Sequence, residues 1–372
     1  MRIAFVSTIF AFPWGGADTL WTRAAEAAQA RGDTLLLAVT GAVASHPRVR
    51  RLRNGGALLC ERPIPPAWPS RAQRLARRLG RLLRRPDPLA DALRRFAPDL
   101  VVFSAGGTYD LLLETPACTW LREAGVRYRL VANWQAEHPV LAESDRLEAA
   151  RRLEGADALF FVSSRNLAVT RRHLLAALPQ ARVVHNPLRW TPEDAAPWPR
   201  TGAWSLATVS RLDLSKGVHL LLQAAAEALG GDADWRLDIF GQGPAEGYWR
   251  AAAGHLGLER RVRFRGYVPR LADIWAENRL MVSPAIDDGV PMTIPEAMLC
   301  ARPVLATAVG GAEDWLGGGG GFLCPAPTVP LLAASLRRAW EARGEWEALG
   351  RAAAERARAL YRPDDYLHLI AP

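Results

Sequence analysis

Lysine is almost missing from this chain: of 47 basic residues only Lys216 is a lysine, and all the others are arginine. Arginine offers a rigid, permanently charged fork, whereas lysine offers a compact, mobile ammonium. A chain that uses arginine everywhere else therefore singles out position 216 as one where the ammonium itself is needed. Cysteine is scarce too. Cys60, Cys118, Cys300 and Cys324 lie far apart with no CxxC pair, which excludes a disulfide framework and a zinc ribbon and fits a reducing, cytoplasmic compartment. The seven histidines follow no HExxH or similar spacing, so no protein-held metal is expected. No apolar run approaches the roughly 20 residues of a membrane-spanning helix. The opening MRIAFVSTIF, interrupted by Ser7, Thr8 and then Pro13, is too short for a secretory signal and reads as a first buried strand.

What is present is ample apolar material, 49% of 372 residues, enough for two domains. The formal charge of +9 is unevenly spread: residues 1–190 carry a net +12 and residues 191–372 a net −3. The excess concentrates in residues 48–95, where 14 arginines face 3 acids. Within that region RAQRLARRLGRLLRR (71–85) is an amphipathic helical pattern with its arginines on one arc and its leucines on the other. Two readings stand: the arginines dock on an anionic membrane surface, making the protein peripheral at the inner membrane face, or the leucines pack inward beneath a solvated arginine face. Nucleic acid is not an expected partner, because no aromatics interleave the basic region.

Strand and helix patterns alternate along the whole chain. Strands are predicted near 2–7, 34–40, 100–104, 128–132, 159–163 and 182–185, then near 205–210, 235–240, 262–266, 279–283, 303–306 and 321–323. Helical patterns lie between them, among them 18–30, 108–123, 216–229, 293–301, 328–343 and 345–360. Continuous apolar strands alternating with helices mean parallel sheets covered on both faces. The fold class is α/β with two Rossmann-like doubly wound domains. The Pro-rich stretch NPLRWTPEDAAPWP separates them, giving residues 1–190, a linker 191–203, and residues 204–355.

The chemistry-bearing stretches all follow predicted strands, where α/β proteins bind ligands. SRLDLSKG (210–217) places Arg211 and Lys216 around a turn, with Ser215 as the expected cap of a helix starting at Lys216. A guanidinium fork and an ammonium there suit a diphosphate. DDGVPMTIPEAM (287–298) sets Asp288 and Glu296 eight apart, bracketing a glycine loop. FGQGP supplies Gly241 and Gly243, and RFRGYVP supplies Tyr267 and Val268 beside a backbone able to meet a nucleobase edge. Near the N-terminus Trp14-Gly15-Gly16-Ala17 leads into a helix, a turn that leaves backbone open to an anion.

SRLDLSKG, FGQGP, RFRGYVP and PEAMLCARPVLATAVGG together resemble the retaining GT-B glycosyltransferases of family 4, strongest from Trp204 to Pro327. That resemblance implies two domains facing a central cleft, with a C-terminal helix (356–372) crossing back to the first. It implies a nucleotide-diphosphate sugar as co-substrate, no other cofactor, and transfer with retention to a glycan, lipid-linked or other hydroxyl acceptor without a metal. By the same resemblance Arg211 and Lys216 grip the donor diphosphate and Glu296 bonds the ribose hydroxyls. The stretch Gly289, Val290, Pro291, Met292 and Thr293 meets the sugar or diphosphate, and Gly15 and Gly16 close over the phosphates. Two positions depart from the family. Asp288 stands where a glutamate belongs, pointing to an altered sugar preference. The segment after the strand near 128–132 reads NWQAEHP, so Gln135, Glu137 or His138 replaces the histidine usual there as a sugar or acceptor contact. A GT-B nucleotide-sugar epimerase and a non-catalytic sugar-nucleotide or glycan-binding protein are the alternative readings.

Overall fold

The computed structural model describes residues 1–10, 14–64, 87–138, 141–200, 202–231 and 234–371. The arginine-rich stretch 71–85 lies outside these described residues. The chain divides into two units, Met1–Pro187 with Pro363–Pro372, and Leu188–Arg362.

The first unit is built on seven parallel strands: β1 (Arg2–Ser7), β2 (Thr34–Thr40), β3 (Leu58–Arg62), β4 (Leu100–Ala105), β5 (Arg127–Ala132), β6 (Ala158–Phe161) and β7 (Ala181–Val183). Their order in the sheet is β3-β2-β1-β4-β5-β6-β7. The second unit has six parallel strands: β8 (Trp204–Val209), β9 (Trp235–Phe240), β10 (Val262–Gly266), β11 (Leu280–Ser283), β12 (Val304–Thr307) and β13 (Gly321–Cys324), in the order β10-β9-β8-β11-β12-β13. Both sheets therefore run outward from their first strand, return to it, and continue on its other side. This is the doubly wound arrangement whose direction reverses between β1 and β4 in one unit and between β8 and β11 in the other.

Central strands are buried on both faces because helices cover both sides: every residue of β4 is buried, as is all of β1 but its first. Ile3, Phe5, Val101, Phe103 and Leu130 carry at most 1% exposure. In the second unit the tryptophans Trp249, Trp275 and Trp346 are fully buried core residues, while Trp204 packs edge-on against Trp340 and Trp346.

Four stretches differ from the sequence expectation. Residues 41–62, for which no strand or helix is predicted, form the short helix Gly41–Ala44, the helix Pro47–Asn54 and strand β3; β3 is a sheet-edge strand only partly buried, so it lacks the apolar run that marks its neighbours. The pattern at 108–123 splits into a 3-10 turn (Asp110–Leu113) and a helix (Thr115–Glu123). The helix expected at 216–229 begins instead at Val218, after a 3-10 turn Leu214–Lys216, because Gly217 between them has φ +65°. A short helix Ala312–Leu316 follows β12 unannounced.

The Pro-rich stretch is an ordered coat on the second unit. Arg302, 1% exposed, donates to the carbonyls of Pro197 (2.8 Å) and Cys300 (2.7 Å) and packs on the Trp198 ring; burial pushes its guanidinium down to about 10. Asp194 accepts the N–H of Leu271 (3.1 Å), starting the helix Leu271–Trp275. At the other end, residues 346–360 still form a helix of the second unit, and the return to the first unit begins at Pro363. There Asp365 accepts from the His185 N–H (2.8 Å), Arg129 donates to the His368 carbonyl (3.1 Å), and Leu369 is fully buried.

Candidate functional site

The second unit brings its best candidates together at the reversal between β8 and β11. Lys216 follows β8 and Asp288 follows β11, and their side chains meet at 2.6 Å, each 18% exposed. The two loops are laced by backbone bonds: the N–H of Ile286 donates to the Ser215 carbonyl at 2.7 Å. That approach depends on Gly217, where a Cβ would fall on the Pro284 carbonyl oxygen. The solitary lysine is thus held by local geometry over the crevice where doubly wound sheets take ligands.

Arg211 is present in the same loop but its Nε donates to Asp213 at 2.6 Å. Asp213 also accepts from the Ser215 N–H (3.1 Å) and from its hydroxyl. Burial works to raise the Asp213 carboxyl, but Ser215 and the charges of Arg211 and Lys216 hold it below the ordinary range. Asp213, rather than Ser215, is the cap of this turn. The loop therefore carries two cations and one carboxylate, and Asp288 from the loop after β11 completes a compact, partly exposed cluster. In such a cluster an incoming anion can exchange places with a carboxylate on either cation.

Gly241 and Gly243 serve this loop from behind. Gly241 has φ +125°, and a Cβ there would fall on the Ser210 carbonyl oxygen; one on Gly243 would fall on that of Leu212. The N–H of Leu212 donates to Gln242 (2.9 Å). The glycines expected to meet a ligand thus press the loop after β9 against the loop that bears Arg211. Tyr267 is 64% exposed beside them, and Val268 packs on the adjoining core cluster. In the acidic loop Gly289 accepts from the Gly311 N–H (3.0 Å), Pro291 is buried, and Val290, Met292 and Thr293 are half-buried at the start of the helix Thr293–Leu299.

Glu296 has a protein partner that the sequence did not point to. It is 4% exposed, and both its oxygens are engaged by Arg189: the backbone N–H reaches Oε1 and Nε reaches Oε2, each at 3.2 Å. Burial raises its carboxyl, and the Arg189 charge and hydrogen bonds act against that. Glu296 therefore stands apart from the Lys216–Asp288 pair in its hydrogen bonding.

In the first unit Gly15 precedes the helix Gly16–Ala30, whose Asp18 accepts the Gly15 N–H (2.9 Å) and the Trp21 Nε1–H (3.2 Å). Burial pushes the Asp18 carboxyl up to about 6. Gly15 has φ −155° and a Cβ there would meet nothing within 4 Å, so packing does not require a glycine. Gln135 is buried, bridged to His173 Nδ1 (3.3 Å) and Thr170 (3.4 Å), while His173 Nε2–H donates to the Glu137 carbonyl (3.0 Å). Glu137 is paired with Arg172 (2.8 Å) and Arg165 (3.0 Å). Both side chains tie the loop after β5 to the helix Ser164–Leu174, and His138 is exposed. At the β1/β4 reversal Thr8 donates to Asp110 (2.7 Å), which also accepts the Gly107 N–H (3.0 Å).

Sequence reasoning missed Asp213, Arg189 and Asp110. Asp213 was legible from its Arg-x-Asp spacing; Arg189 and Glu296 are 107 positions apart, and nothing local marks the pair. Among the described residues no group of three or more His, Cys, Asp or Glu side chains is placed to hold a metal, and no helix is long and apolar enough to cross a membrane.

The two doubly wound units, with a cation–carboxylate cluster at the second reversal, define the GT-B class of fold. Residues 204–342 match the family model described as Glycosyl transferases group 1. The chain is 26% identical to 2-deoxystreptamine glucosyltransferase of Streptomyces kanamyceticus over 272 residues, covering 66% of this chain and 69% of that protein. It is 30% identical to an exopolysaccharide phosphotransferase of Streptomyces coelicolor over 190 residues, 50% of this chain but only 20% of that protein. In structure it resembles HepE of Anabaena in complex with UDP, with a TM-score of 0.72 at 18% identity, covering 100% and 98% of the two chains.

Proposed function

We propose that this chain is a glycosyltransferase drawing on a nucleoside-diphosphate sugar, with the donor held by the second unit. The observation that carries the reading is Lys216: the single lysine lies at the β8/β11 reversal, paired with Asp288 at 2.6 Å, inside the segment that matches the glycosyl transferases group 1 model. When the bond between the anomeric carbon and the diphosphate breaks, negative charge grows on the leaving oxygen. An ammonium and a guanidinium held in place beforehand stabilise that charge at no reorganisation cost. Arg211 and Lys216 are assigned this work. Asp288, released from Lys216 as phosphate replaces it, is left to accept from sugar hydroxyls, and Glu296 to accept from the ribose.

In this reading a hexosyl group is transferred with retention of anomeric configuration to a glycan, lipid-linked or other hydroxyl acceptor, with charge neutralisation by side chains rather than a metal. The UDP in the HepE complex and the glucosyltransferase named among the relatives support a hexosyl donor. Acceptor recognition falls to the first unit, and association with an anionic membrane to residues 71–85.

A thermal-shift screen against UDP-, GDP- and ADP-sugars, followed by donor-consumption assays with and without candidate acceptors, tests the proposal. Stabilisation by one nucleotide series and acceptor-dependent turnover are expected. Stabilisation without turnover under any acceptor would favour a binding protein, and acceptor-independent release of nucleotide an epimerase.

A further inference from the structure

We infer that Arg189 is a positioning residue for the nucleotide, the group that keeps Glu296 ionised and aimed for the ribose hydroxyls. The inference rests on the donor-site reading above. Glu296 sits on a helix of the core, 4% exposed, where an unpartnered carboxylate would take up a proton rather than remain charged. Arg189 is its only charge partner of opposite sign among the described residues, and it engages the two oxygens separately, backbone N–H to Oε1 and Nε to Oε2, each at 3.2 Å. The arrangement is directional. It uses one lone pair on each oxygen and leaves the other, the geometry needed to accept two vicinal hydroxyl donors.

The other charged group acting on Glu296, Asp194 from the turn Pro192–Asp194, pushes the other way. Arg189 alone therefore opposes protonation. Its backbone is fixed from the far side, since the Leu188 N–H donates to the Tyr361 hydroxyl at 2.9 Å. Its side chain is 34% exposed against 5% for that of Glu296, so it is the member of the pair an entering ligand meets first.

The consequence is a pH-dependent preference for the ribose. A carboxylate accepts two hydroxyl protons, whereas a carboxylic acid accepts fewer and must donate one. Ribose recognition is present above the Glu296 pKa and lost as pH falls through it. Burial already raises that pKa, and removing Arg189 lifts it further and moves the loss to higher pH.

Calorimetric titration with UDP and with 2′,3′-dideoxy-UDP tests this across pH 6 to 9, in the wild type, Arg189→Met, Arg189→Lys and Glu296→Gln. The wild type should prefer the ribose form by about tenfold or more at neutral pH, the size expected for hydrogen bonds to a charged group. Arg189→Met should compress the preference to about threefold at neutral pH and recover it as pH rises, with Arg189→Lys close to wild type. Glu296→Gln should show a small preference that does not change with pH. Equal discrimination by folded Arg189→Met and wild type at every pH would overturn the inference, as would a wild type that binds UDP without regard to the ribose hydroxyls. A wild type that binds no nucleoside diphosphate of any base would instead overturn the donor-site reading itself.

Discussion

The same strand order occurs twice in this chain, and the two reversals it creates are chemically unlike. At β1/β4 the crevice holds a hydroxyl and a carboxylate, Thr8 on Asp110 at 2.7 Å, with glycine N–H groups beside them. At β8/β11 it holds an ammonium on a carboxylate, Lys216 on Asp288 at 2.6 Å, with a second ion pair next to it. Topology alone makes each a place where a ligand can lodge; the cation at the first, Arg62, is buried and tied to the Ser7 carbonyl and Glu114, whereas the second offers two partly exposed cations to a diphosphate. The glycines teach the same lesson. Gly217 and Gly241 in the second unit are required by backbone approach, whereas Gly15 in the first is required by nothing in the protein.

The largest effect should fall on the cation. Lys216→Met is expected to lower donor turnover about 10²- to 10³-fold, the size seen when one preorganised charge-stabilising donor is lost, with the melting profile nearly unchanged. Asp110→Asn should leave nucleoside-diphosphate affinity as it is. Comparable losses in the two variants, measured by calorimetry, would erase the distinction between the reversals.

Next come the glycines. Gly217→Ala or Gly241→Ala forces a Cβ into a neighbouring carbonyl at positive φ, and should cost about 2 to 4 kcal/mol of unfolding free energy in denaturant titrations. Gly15→Ala should change stability by less than about 0.5 kcal/mol and reduce donor turnover if its backbone is approached by the ligand. Equal destabilisation at both sites would mean Gly15 is structural after all.

Asp18, at the start of the helix after Gly15, supplies a pH test confined to the first unit. Its folded carboxyl is pushed up to about 6 from 3.8 by burial. The protonated form is thus favoured in the fold: the contribution to stability is greatest below about pH 4 and is lost as pH rises through 6, by about 3 kcal/mol at most. The stability penalty of Asp18→Asn should accordingly shrink as pH rises from 4 to 7. A penalty that grows over that range would show the carboxylate to be the favoured form. A small effect is also expected at Glu137, whose partners Arg172 and Arg165 are 60% and 37% exposed. Arg172→Ala should cost less than about 1 kcal/mol, and a larger loss would show that the loop after β5 relies on this surface pair.

Strands whose burial is two-sided announce themselves, as IAFV in β1 and LVVF in β4 do. The edge strand β3, LLCER, does not, because only Arg62 of its five residues is buried. The loop SRLDLSKG was legible as a cation-bearing turn through its lone lysine. Its internal wiring was not: Asp213 takes the cap expected of Ser215, and Gly217 delays the helix by two residues. Glu296 was legible as a helix-start acid but not as the partner of Arg189, since a contact across 107 positions depends on how the Pro-rich coat folds back onto the second unit. The FGQGP glycines were legible as a special turn, but the approach of two loops that Gly241 and Gly243 permit was not.

The most direct measurement is calorimetric comparison of a nucleoside diphosphate with the corresponding monophosphate, on the wild type and on Lys216→Met. If Lys216 is the diphosphate clamp, the wild type favours the diphosphate by roughly tenfold or more, as a charge-assisted contact implies, and the variant binds the two almost equally. A variant that keeps the full diphosphate preference would show that the lysine at the β8/β11 reversal does not hold the ligand.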